Sequence, residues 1–330
     1  MREILQNGCI NRVRSNSQII NSGVPQGSVL GPVLFIIYIN DLISTVKFAK
    51  ICLFADDTSI TLSNIIREML KEEICNELKI VTEWLSKNAF SINTSKTKYL
   101  EFSITKKKPL DNLNITVDGN NICSSDNINF LGLYIDKHLN FKMHVQNVSN
   151  KVSKGLFVLR RLSTFCTVDV LLTVYHALIV PHLVYAVPIW GMASSNSIKI
   201  FKLQKWAIRI IFKMKRTESC KNVFYENKLL TFPSIYIFET LKFIKSNFAM
   251  FEKSNSEYNI RYHENLKCIT HRSAFFKKHI TYNGISLYNN LPPEIKKERN
   301  IDVFKRKLKV FLLQQNYYST EEYFARNKKK

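Results

Sequence analysis

The sequence predicts an α+β protein, with a mixed module of short strands and helices up to about residue 136 and a basic, mostly helical module after it. Short apolar runs between turn residues precede that boundary, and apolar residues at three- and four-residue spacing dominate past Phe141. Of the 330 residues, 45% are hydrophobic, so the chain can bury a sizeable core. These observations exclude a wholly disordered chain.

Positive charge is concentrated in the second module. Residues 1–104 hold 11 basic and 10 acidic side chains, a net charge of +1, whereas residues 105–330 hold 37 and 16, a net charge of +21. A basic module joined to a nearly neutral one is typical of proteins that bind a polyanion such as nucleic acid. AT-rich coding is the alternative, because 35 of the 48 basic residues are Lys and Asn, Ile, Phe and Tyr are also abundant.

The start of the first module predicts strands and then a helix. Residues 8–22 predict two short strands around Ser15-Asn16-Ser17. The run VLGPVLFIIYINDL, Val29–Leu42, is almost wholly apolar and has the length of a buried helix after a loop marked by Gly and Pro.

The rest of the first module predicts a hairpin, a helix and further short strands. Residues 50–62, KICLFADDTSITL, predict a buried strand, a turn with Asp56 and Asp57 at its tip, and a second strand. Apolar residues at helical spacing predict an amphipathic helix over residues 65–87. Short strands are expected near residues 99–104, 115–117 and 129–135.

The second module predicts helices over about residues 142–165, 168–180, 197–214, 234–252 and 301–314. Within it, Val170–Ile198 contains no Asp, Glu, Lys or Arg and is long enough to span a bilayer. Pro181, Pro188 and a polar end at residues 194–197 favour buried helices broken at the prolines over a membrane span, which stays the alternative.

The seven cysteines are odd in number and widely spaced, without a CxxC pair, which favours a reducing compartment over a disulfide framework. A zinc site from Cys220, His263, Cys268 and His271 is an alternative without paired-ligand spacing. The N-terminus lacks the apolar core of a signal peptide, so we expect an intracellular protein that is not secreted.

Two adjacent carboxylates at the tip of an apolar hairpin are the first candidate for chemistry. Like charges this close repel unless a cation lies beside them, and carboxylate oxygens favour Mg²⁺ or Mn²⁺. Two such ions hold the attacking and leaving oxygens in nucleotidyl transfer. The alternative is an ordinary Asp-Asp turn that caps its own backbone in water.

The loop GVPQGSVLGP, at residues 23–32, is the second candidate. Its glycines permit close backbone approach and its prolines fix its path: Gly23, Gly27, Gly31, Pro25 and Pro32. Such a loop could present backbone groups and Gln26 to a flat or phosphorylated ligand, or could be an ordinary connection into the helix.

These residues resemble the reverse transcriptases of non-LTR retrotransposons, in particular the jockey-like and CR1-like elements of animals. GVPQGSVLGPVLFIIYINDL (Gly23–Leu42) followed by FADDT (Phe54–Thr58) is similar to the second and third conserved polymerase motifs of that group. Further similar strings are NTSKTK (Asn93–Lys98), NFLGLYID (Asn129–Asp136), PHLVYAVPIWG (Pro181–Gly191), LQKWAIRII (Leu203–Ile211) and YNNLPPEI (Tyr288–Ile295).

The resemblance implies a partial polymerase palm over residues 1–136, a thumb-like helical region over 137–216 and a basic helical C-terminal region over 217–330. It implies RNA-directed DNA synthesis with Mg²⁺ or Mn²⁺, an RNA template, a DNA primer and deoxynucleoside triphosphates as partners, and no membrane. A nuclear or cytoplasmic ribonucleoprotein is the expected location, because the family uses nuclear DNA as its target.

Site residues follow from the same resemblance. Asp56 would bind both metal ions, Asp57 would support it, and Lys96 would lie near the departing pyrophosphate, with a solvated surface lysine as the alternative. Contacts to template, primer or nucleotide would come from the loop, the residues before the carboxylates and a later turn: Gly23, Pro25, Gln26, Gly27, Phe54, Ala55, Phe130, Leu131 and Gly132. Phe54 stands where many relatives have Tyr.

Four cations in the thumb-like region recur at three- and four-residue intervals: Lys202, Lys205, Arg209 and Lys213. On one helical stripe they would follow a phosphate backbone, with binding that weakens steeply with salt. A solvated charged face is the alternative.

One feature of the family is missing from these residues. A reverse transcriptase palm needs another metal-binding Asp upstream of the loop, yet the 22 residues before Gly23 hold no Asp and only one acidic residue, Glu3. We expect a fragment by comparison with the family, with little or no polymerisation on its own and an exposed apolar face that promotes aggregation. A non-catalytic RNA- or DNA-binding protein and an unrelated helical binding or membrane protein are the alternatives.

Overall fold

The computed structural model divides the chain into two compact units. The N-terminal unit comprises Met1–Tyr99 and Pro109–Ser125, and the helical unit comprises Leu100–Lys108 and Asp126–Lys330. The residues that the structure describes are 4–6, 9–10, 13–14, 16, 18–20, 27–102, 112–192, 194–253, 265–270, 276 and 279–327. The predicted regions 1–136, 137–216 and 217–330 stay a prediction.

Short strands open the N-terminal unit: β1 (Ile4–Gln6), β2 (Cys9–Ile10), β3 (Val13–Arg14) and β4 (Gln18–Ile20). β1 pairs with β4 and β2 with β3, both antiparallel. Short strands therefore lie on both sides of residues 15–17, as predicted, although three strands, β2, β3 and β4, take the place of two within residues 8–22.

The apolar run after the glycine-containing loop forms a helix that is mostly exposed. α1 (Leu30–Ile39) continues into a 3-10 helix at Asn40–Thr45. Ile36 and Ile37 leave 61% and 65% of their surface exposed. The prediction of a helix is confirmed and that of its burial is wrong, because an all-apolar helix needs cover on every side and the described residues cover only one.

The hairpin and the amphipathic helix of the N-terminal unit are as predicted. β5 (Lys50–Phe54) pairs antiparallel with β6 (Asp57–Thr61), and α2 (Arg67–Lys87) follows. The first strand was expected to be buried, but its residues alternate between half-buried and exposed, because only one face of the hairpin packs on the rest of the unit.

The remaining strands of this unit are two residues long. They are β7 (Lys98–Tyr99), β8 (Thr116–Val117), β9 (Asn120–Asn121) and β10 (Cys123–Ser124). β7 pairs parallel with β10, and β8 pairs antiparallel with β9. Strands predicted near residues 99–104 and 115–117 are therefore confirmed in part, with residues 103–104 outside the described residues.

The helical unit begins with a hairpin of β11 (Asn127–Phe130) and β12 (Leu133–Asp136), where one strand was predicted near 129–135. Its helices are α3 (Lys142–Leu162), α4 (Val168–Leu178), α5 (Val180–Val184), α6 (Val187–Trp190), α7 (Ser194–Ile211), α8 (Lys221–Glu226), α9 (Phe232–Ser246), α10 (Ile280–Asn289), α11 (Pro293–Lys296), α12 (Ile301–Gln315) and α13 (Thr320–Asn327). The predicted helices are confirmed as α3, α4, α7, α9 and α12, while α8, α10, α11 and α13 were not predicted.

The uncharged stretch Val170–Ile198 contains helices interrupted at its prolines, as predicted. The expected burial is confirmed only in part, since Val170, Leu178 and Tyr185 leave 46%, 41% and 47% of their surface exposed. Pro181 and Pro188 lie in the first turns of α5 and α6, where a missing backbone N–H is tolerated. Among the described residues, no helix combines the length and the apolar character needed to cross a membrane.

A buried glutamine fixes α7 within the core of the helical unit. The Gln204 amide nitrogen donates to the Tyr175 hydroxyl and to the Leu230 carbonyl oxygen, both at 2.9 Å, and its oxygen accepts from the Phe232 N–H at 2.7 Å. Burial raises the pKa of Tyr175 to about 12. Because every polar atom of this side chain is paired, Gln204 ties α4, α7 and the start of α9 into one arrangement.

Candidate active site

The two adjacent carboxylates lie at the tip of the β5–β6 hairpin. Phe54 pairs with Asp57, so Ala55 and Asp56 form a two-residue turn, with Ala55 in the left-handed region at φ 50°. Both carboxylates and Phe54 are exposed. The predicted position of Asp56 and Asp57 is confirmed, and both can meet a ligand from solvent.

The hairpin is attached to the rest of the N-terminal unit by packing and by a buried acid. Ile51, Leu53 and Ile60 pack on a cluster formed by Ile39, Leu42 and Val81. The buried Glu77 of α2 accepts hydrogen bonds from the N–H groups of Lys47 and Phe48, at 3.1 to 3.2 Å. These two residues lead into β5, so Glu77 fixes the start of the strand that carries the carboxylates.

The donor set of this turn fits one hard divalent cation. Mg²⁺ is commonly held by one or two carboxylates, with water and substrate phosphate completing its shell. Within the described ranges, no group of three or more His, Cys, Asp or Glu side chains is placed to hold a metal ion. The two carboxylates alone are therefore too few for a pair of ions.

The GVPQG loop is described only from Gly27 onward. The predicted contacts Gly23, Pro25 and Gln26 lie outside the described residues. Gly27 is exposed at φ 82°, a backbone conformation that favours glycine, with open space where a Cβ would stand.

Lys96 lies in a turn organised by Asn93. The Asn93 side-chain oxygen accepts from the Ser95 hydroxyl at 2.7 Å and from the Lys96 N–H at 3.2 Å. The Lys96 side chain is exposed. Its role near pyrophosphate stays a prediction.

The turn at Leu131 and Gly132 belongs to the helical unit and is held by Tyr185. Leu131 and Gly132 have φ 49° and 83° and connect β11 to β12 directly after Phe130. The Tyr185 hydroxyl donates to the Leu131 carbonyl oxygen, and a Cβ on Gly132 would lie 3.7 Å from that hydroxyl. Tyr185 lies in the PHLVYAVPIWG string, but sequence reasoning gave it no role.

The same hairpin rests on a buried histidine of α3. His144 Nδ1 accepts from the Tyr134 N–H at 3.5 Å, and its ring lies 5.2 Å from that of Trp190. Burial, with a smaller contribution from Lys151, lowers the pKa of His144 to about 4. The side chain is therefore neutral at pH 7 and acts as an acceptor within the core.

The four cations predicted as one stripe have different surroundings. Lys202 and Lys213 are exposed, and Lys213 lies past the end of α7 at φ 52°. Arg209 donates to the Glu218 carbonyl oxygen at 2.9 and 3.2 Å, and the Lys205 ammonium lies 4.7 Å from the centre of the Phe201 ring. Lys205 and Arg209 thus already have intramolecular partners, and binding of nucleic acid by the four stays a prediction.

The zinc alternative gains no support from the described cysteines. Cys220 is buried, its thiol donates to the Lys205 carbonyl oxygen at 3.7 Å, and burial raises its pKa. Cys268 is exposed, and His263 and His271 lie outside the described residues.

Comparison with known proteins finds a family match in the N-terminal part of the chain. Residues 2–135 match the family model described as reverse transcriptase (RNA-dependent DNA polymerase). This segment is therefore similar to reverse transcriptases. It contains the hairpin with Asp56 and Asp57, and it ends within β12.

Relatives of the chain carry the names of polymerases from mobile elements. The chain is 27% identical over 206 residues to "Probable RNA-directed DNA polymerase from transposon X-element" of Drosophila melanogaster, covering 60% of the chain and 22% of the relative. It is 25% identical over 220 residues to "RNA-directed DNA polymerase from mobile element jockey" of Drosophila funebris, covering 63% and 23%. The resemblance to non-LTR retrotransposon reverse transcriptases is thereby confirmed.

The match to these relatives is longer than the segment 2–135 but covers little of each relative. Both matched stretches are longer than the 134 residues of that segment. The chain spans less than a quarter of the length of either relative. No solved structure matches the chain.

Proposed function

We propose that the chain is part of the RNA-directed DNA polymerase of a non-LTR retrotransposon, in which Asp56 and Asp57 bind the catalytic Mg²⁺ or Mn²⁺. The observation that carries this proposal is the exposed two-carboxylate turn inside the segment that matches the reverse transcriptase family. When bound, such ions activate the attacking 3′ oxygen of a primer and neutralise the leaving pyrophosphate.

The remaining residues have supporting roles in this proposal. Lys96 supplies a proton or a positive charge to the pyrophosphate, and the loop around Gly27 meets template, primer or deoxynucleoside triphosphate. The turn at Leu131 and Gly132 holds the primer end, positioned by Tyr185. Residues 1–136 serve as part of a palm and residues 137–216 as a thumb, and the complex with RNA lies in the nucleus or the cytoplasm.

The carboxylate set of this turn needs further acidic ligands to hold two ions. Two carboxylates are too few for two ions, and no Asp precedes Gly23 within these residues. By themselves, residues 1–330 therefore position and neutralise the reacting groups poorly, and we expect little or no polymerisation from them.

Primer extension by the protein encoded by the complete transcript tests this proposal. The longest reading frame containing residues 1–330 is expressed and supplied with an RNA template, a DNA primer and Mg²⁺. Asp56→Asn is expected to lower extension on the order of 10³-fold, because a preorganised charge at the reacting phosphate is lost.

Asp118→Asn is the matched control for this substitution. Asp118 is an exposed turn carboxylate of the same unit, at a positive φ of 49° that Asn also accepts. Extension that is unchanged by Asp56→Asn would refute the polymerase assignment of this turn.

A non-catalytic nucleic-acid-binding protein is the second candidate. It is favoured by the net charge of +21 over residues 105–330, from 37 basic and 16 acidic side chains. If the longest reading frame carries no further Asp and no extension is found, while nucleic acid still binds, this candidate replaces the first.

A further inference from the structure

The helices α3 and α7 pack side by side and expose a cationic surface between them. α3 contains five Lys or Arg residues and α7 contains four, and neither helix contains Asp or Glu. We name this surface the α3–α7 face, and its exposed members used below are Phe157, Arg160, Arg161, Lys199, Lys202 and Trp206.

Two aromatic rings of this face are partly open to solvent, each beside an arginine. Phe157 leaves 57% of its surface exposed and Trp206 leaves 39% exposed. The Arg160 guanidinium carbon lies 5.5 Å from the centre of the Trp206 ring, so this pair bridges α3 and α7. The Arg161 guanidinium carbon lies 5.4 Å from the centre of the Phe157 ring.

The charge of the face is not neutralised by neighbouring carboxylates. In the described part of the chain, the ion pairs involve none of its four cations. The Lys199 ammonium donates to the neutral Gln146 side-chain oxygen at 2.6 Å, which keeps the charge in place on the surface. An acid-free surface of this kind is complementary to a phosphate backbone.

The α3–α7 face also differs from the stripe that helical spacing alone predicts. Lys205 and Arg209 contact Phe201 and Glu218 within the helical unit, whereas Lys199 and Lys202 are exposed. The Lys199 ammonium reaches α3 through its hydrogen bond to Gln146. The contribution of α3 could not be read from α7 alone, because it depends on the packing of the two helices.

We propose that the α3–α7 face binds single-stranded nucleic acid, with phosphates at Lys199 and Lys202 and unpaired bases stacked against Phe157 and the Arg160–Trp206 pair. The choice of nucleic acid as the partner rests on the proposed function, whereas the residues of the α3–α7 face are separate from Asp56 and Asp57. Unpaired bases stack on aromatic rings and guanidinium planes, whereas a duplex hides the faces of its bases. The rings therefore favour a single strand over a duplex.

Fluorescence polarisation with the 330-residue chain tests the stacking. The probes are fluorescein-labelled (rU)₁₅ and (dT)₁₅, an abasic 15-mer with the same phosphates, and a 15-base-pair duplex. Phe157→Ala and Trp206→Ala are each expected to weaken binding of (rU)₁₅ and (dT)₁₅ about 10-fold, because one stacked base is lost. Binding of the abasic strand and of the duplex is expected to change less than about 2-fold.

Matched substitutions separate stacking from folding. Trp206→Phe keeps an aromatic ring and is expected to retain most of the affinity. Tyr225→Ala removes an exposed ring on α8, outside the face, and is expected to have no effect. Circular dichroism and thermal unfolding show whether each variant is folded. If Trp206→Ala does not fold, Phe157→Ala decides the result.

Charge is tested in the same assay. Lys202→Gln is expected to lower the slope of log affinity against log salt by about 0.7 for a single strand, whereas Lys309→Gln, at an exposed position of α12, leaves this slope unchanged. If Phe157→Ala and Trp206→Ala lose affinity only for (rU)₁₅ or only for (dT)₁₅, the proposal is supported and the kind of strand that binds is identified.

Two results would overturn the inference. Phe157→Ala and a folded Trp206→Ala could bind every probe like the unaltered chain, or the losses of affinity could be equal for the single strands, the abasic strand and the duplex. Because these measurements need neither catalysis nor a divalent ion, they are independent of the primer-extension test of Asp56.

Discussion

Glu77 shows how a single buried side chain positions the candidate active site. Its carboxylate oxygens accept from the N–H groups of Lys47 and Phe48, which precede β5. Since these partners are backbone groups about thirty residues away in sequence, no local pattern could predict the contact. The positions of Asp56 and Asp57, by contrast, could be predicted, because a short hairpin with a two-residue turn fixes them locally.

Replacement of Glu77 by Ala is expected to lower the free energy of unfolding by about 2–4 kcal/mol, because two backbone donors lose their acceptor. Urea denaturation of the two proteins measures this difference. Glu72→Ala, at an exposed position of the same helix, is expected to stay within about 0.5 kcal/mol. Equal effects of the two substitutions would show that the contact does not stabilise the unit.

His144 makes the stability of the helical unit depend on pH. Its pKa is about 4 in the folded chain, against 6.5 as the ordinary value, so between these values the unfolded chain binds the extra proton. Stability is therefore expected to fall as pH decreases from about 6.5 to 4, by on the order of 2 kcal/mol from this residue.

Comparison with His144→Phe isolates this contribution. Urea midpoints are measured at pH 7 and pH 4.5 for both proteins, and the variant is expected to lose less stability on acidification. An identical loss in the variant would mean that other groups cause it, among them His182, whose pKa burial also lowers.

At the scale of the element, the sequence of α1 predicts that the segment is helical but not whether the helix is buried. The length of the apolar run predicted the helix correctly, but burial depends on what packs on it, which the run itself does not specify. Among the described residues, only one side of α1 and of the 3-10 helix after it is covered. That side contains Phe35, Ile39 and Leu42, which pack with residues of α2 and of the β5–β6 hairpin.

Polar substitution on the open side of α1 is expected to be tolerated. The double variant Ile36→Gln, Ile37→Gln should keep the free energy of unfolding within about 1 kcal/mol while lowering aggregation and binding of the dye ANS. Leu42→Ala, at a fully buried position, should cost about 3 kcal/mol. A comparable loss in the double variant would contradict the exposure of these side chains.

The helix α10 was not predicted, because its sequence favours a helix only weakly. Its sequence, ITYNGISLYN, contains a glycine and β-branched residues, which are weak helix formers. The helix forms because it packs on α9. Gly284 has no side chain, which leaves room for Ile244 of α9, since a Cβ at Gly284 would lie 2.6 Å from the Ile244 side chain. Tertiary packing of this kind overrides local preference.

Gly284→Ala is therefore expected to destabilise the chain by about 1–3 kcal/mol, although Ala is the better helix former. Ser286→Ala, on the same helix, also raises helix propensity but creates no clash with Ile244, and it should leave the stability of the chain almost unchanged. Thermal unfolding compares them, and a stabilising Gly284→Ala would show that α9 and α10 are not packed this closely.

At the scale of the whole molecule, the carboxylate turn and the cationic surface belong to different units. Charge counting along the sequence predicted that most cations lie in a different part of the chain from this turn, because the excess of basic residues begins after residue 104. The sequence could not predict which cations have partners within the chain, since Lys205 and Arg209 contact Phe201 and the Glu218 carbonyl oxygen only in the folded chain.

Nucleic-acid binding is therefore expected to be independent of the carboxylates. The double variant Asp56→Asn, Asp57→Asn should bind (rU)₁₅ within about 2-fold of the unaltered chain at equal salt, because these carboxylates are not part of the α3–α7 face and salt screens exposed charges that do not contact the strand. Fluorescence polarisation measures both affinities. A large loss in the double variant would place the carboxylates within the binding surface.

The most direct test of the central claim is whether Asp56 and Asp57 hold a divalent ion. Fe²⁺ in place of Mg²⁺, with ascorbate, cleaves a polypeptide close to the bound ion, and mass spectrometry locates the cuts. Cleavage is expected around residues 54–58, suppressed by excess Mg²⁺, lost in the Asp56→Asn, Asp57→Asn variant and retained in Asp118→Asn. Cleavage at residues 54–58 that persists in the double variant, or cuts found only elsewhere, would contradict a divalent-ion site at this turn.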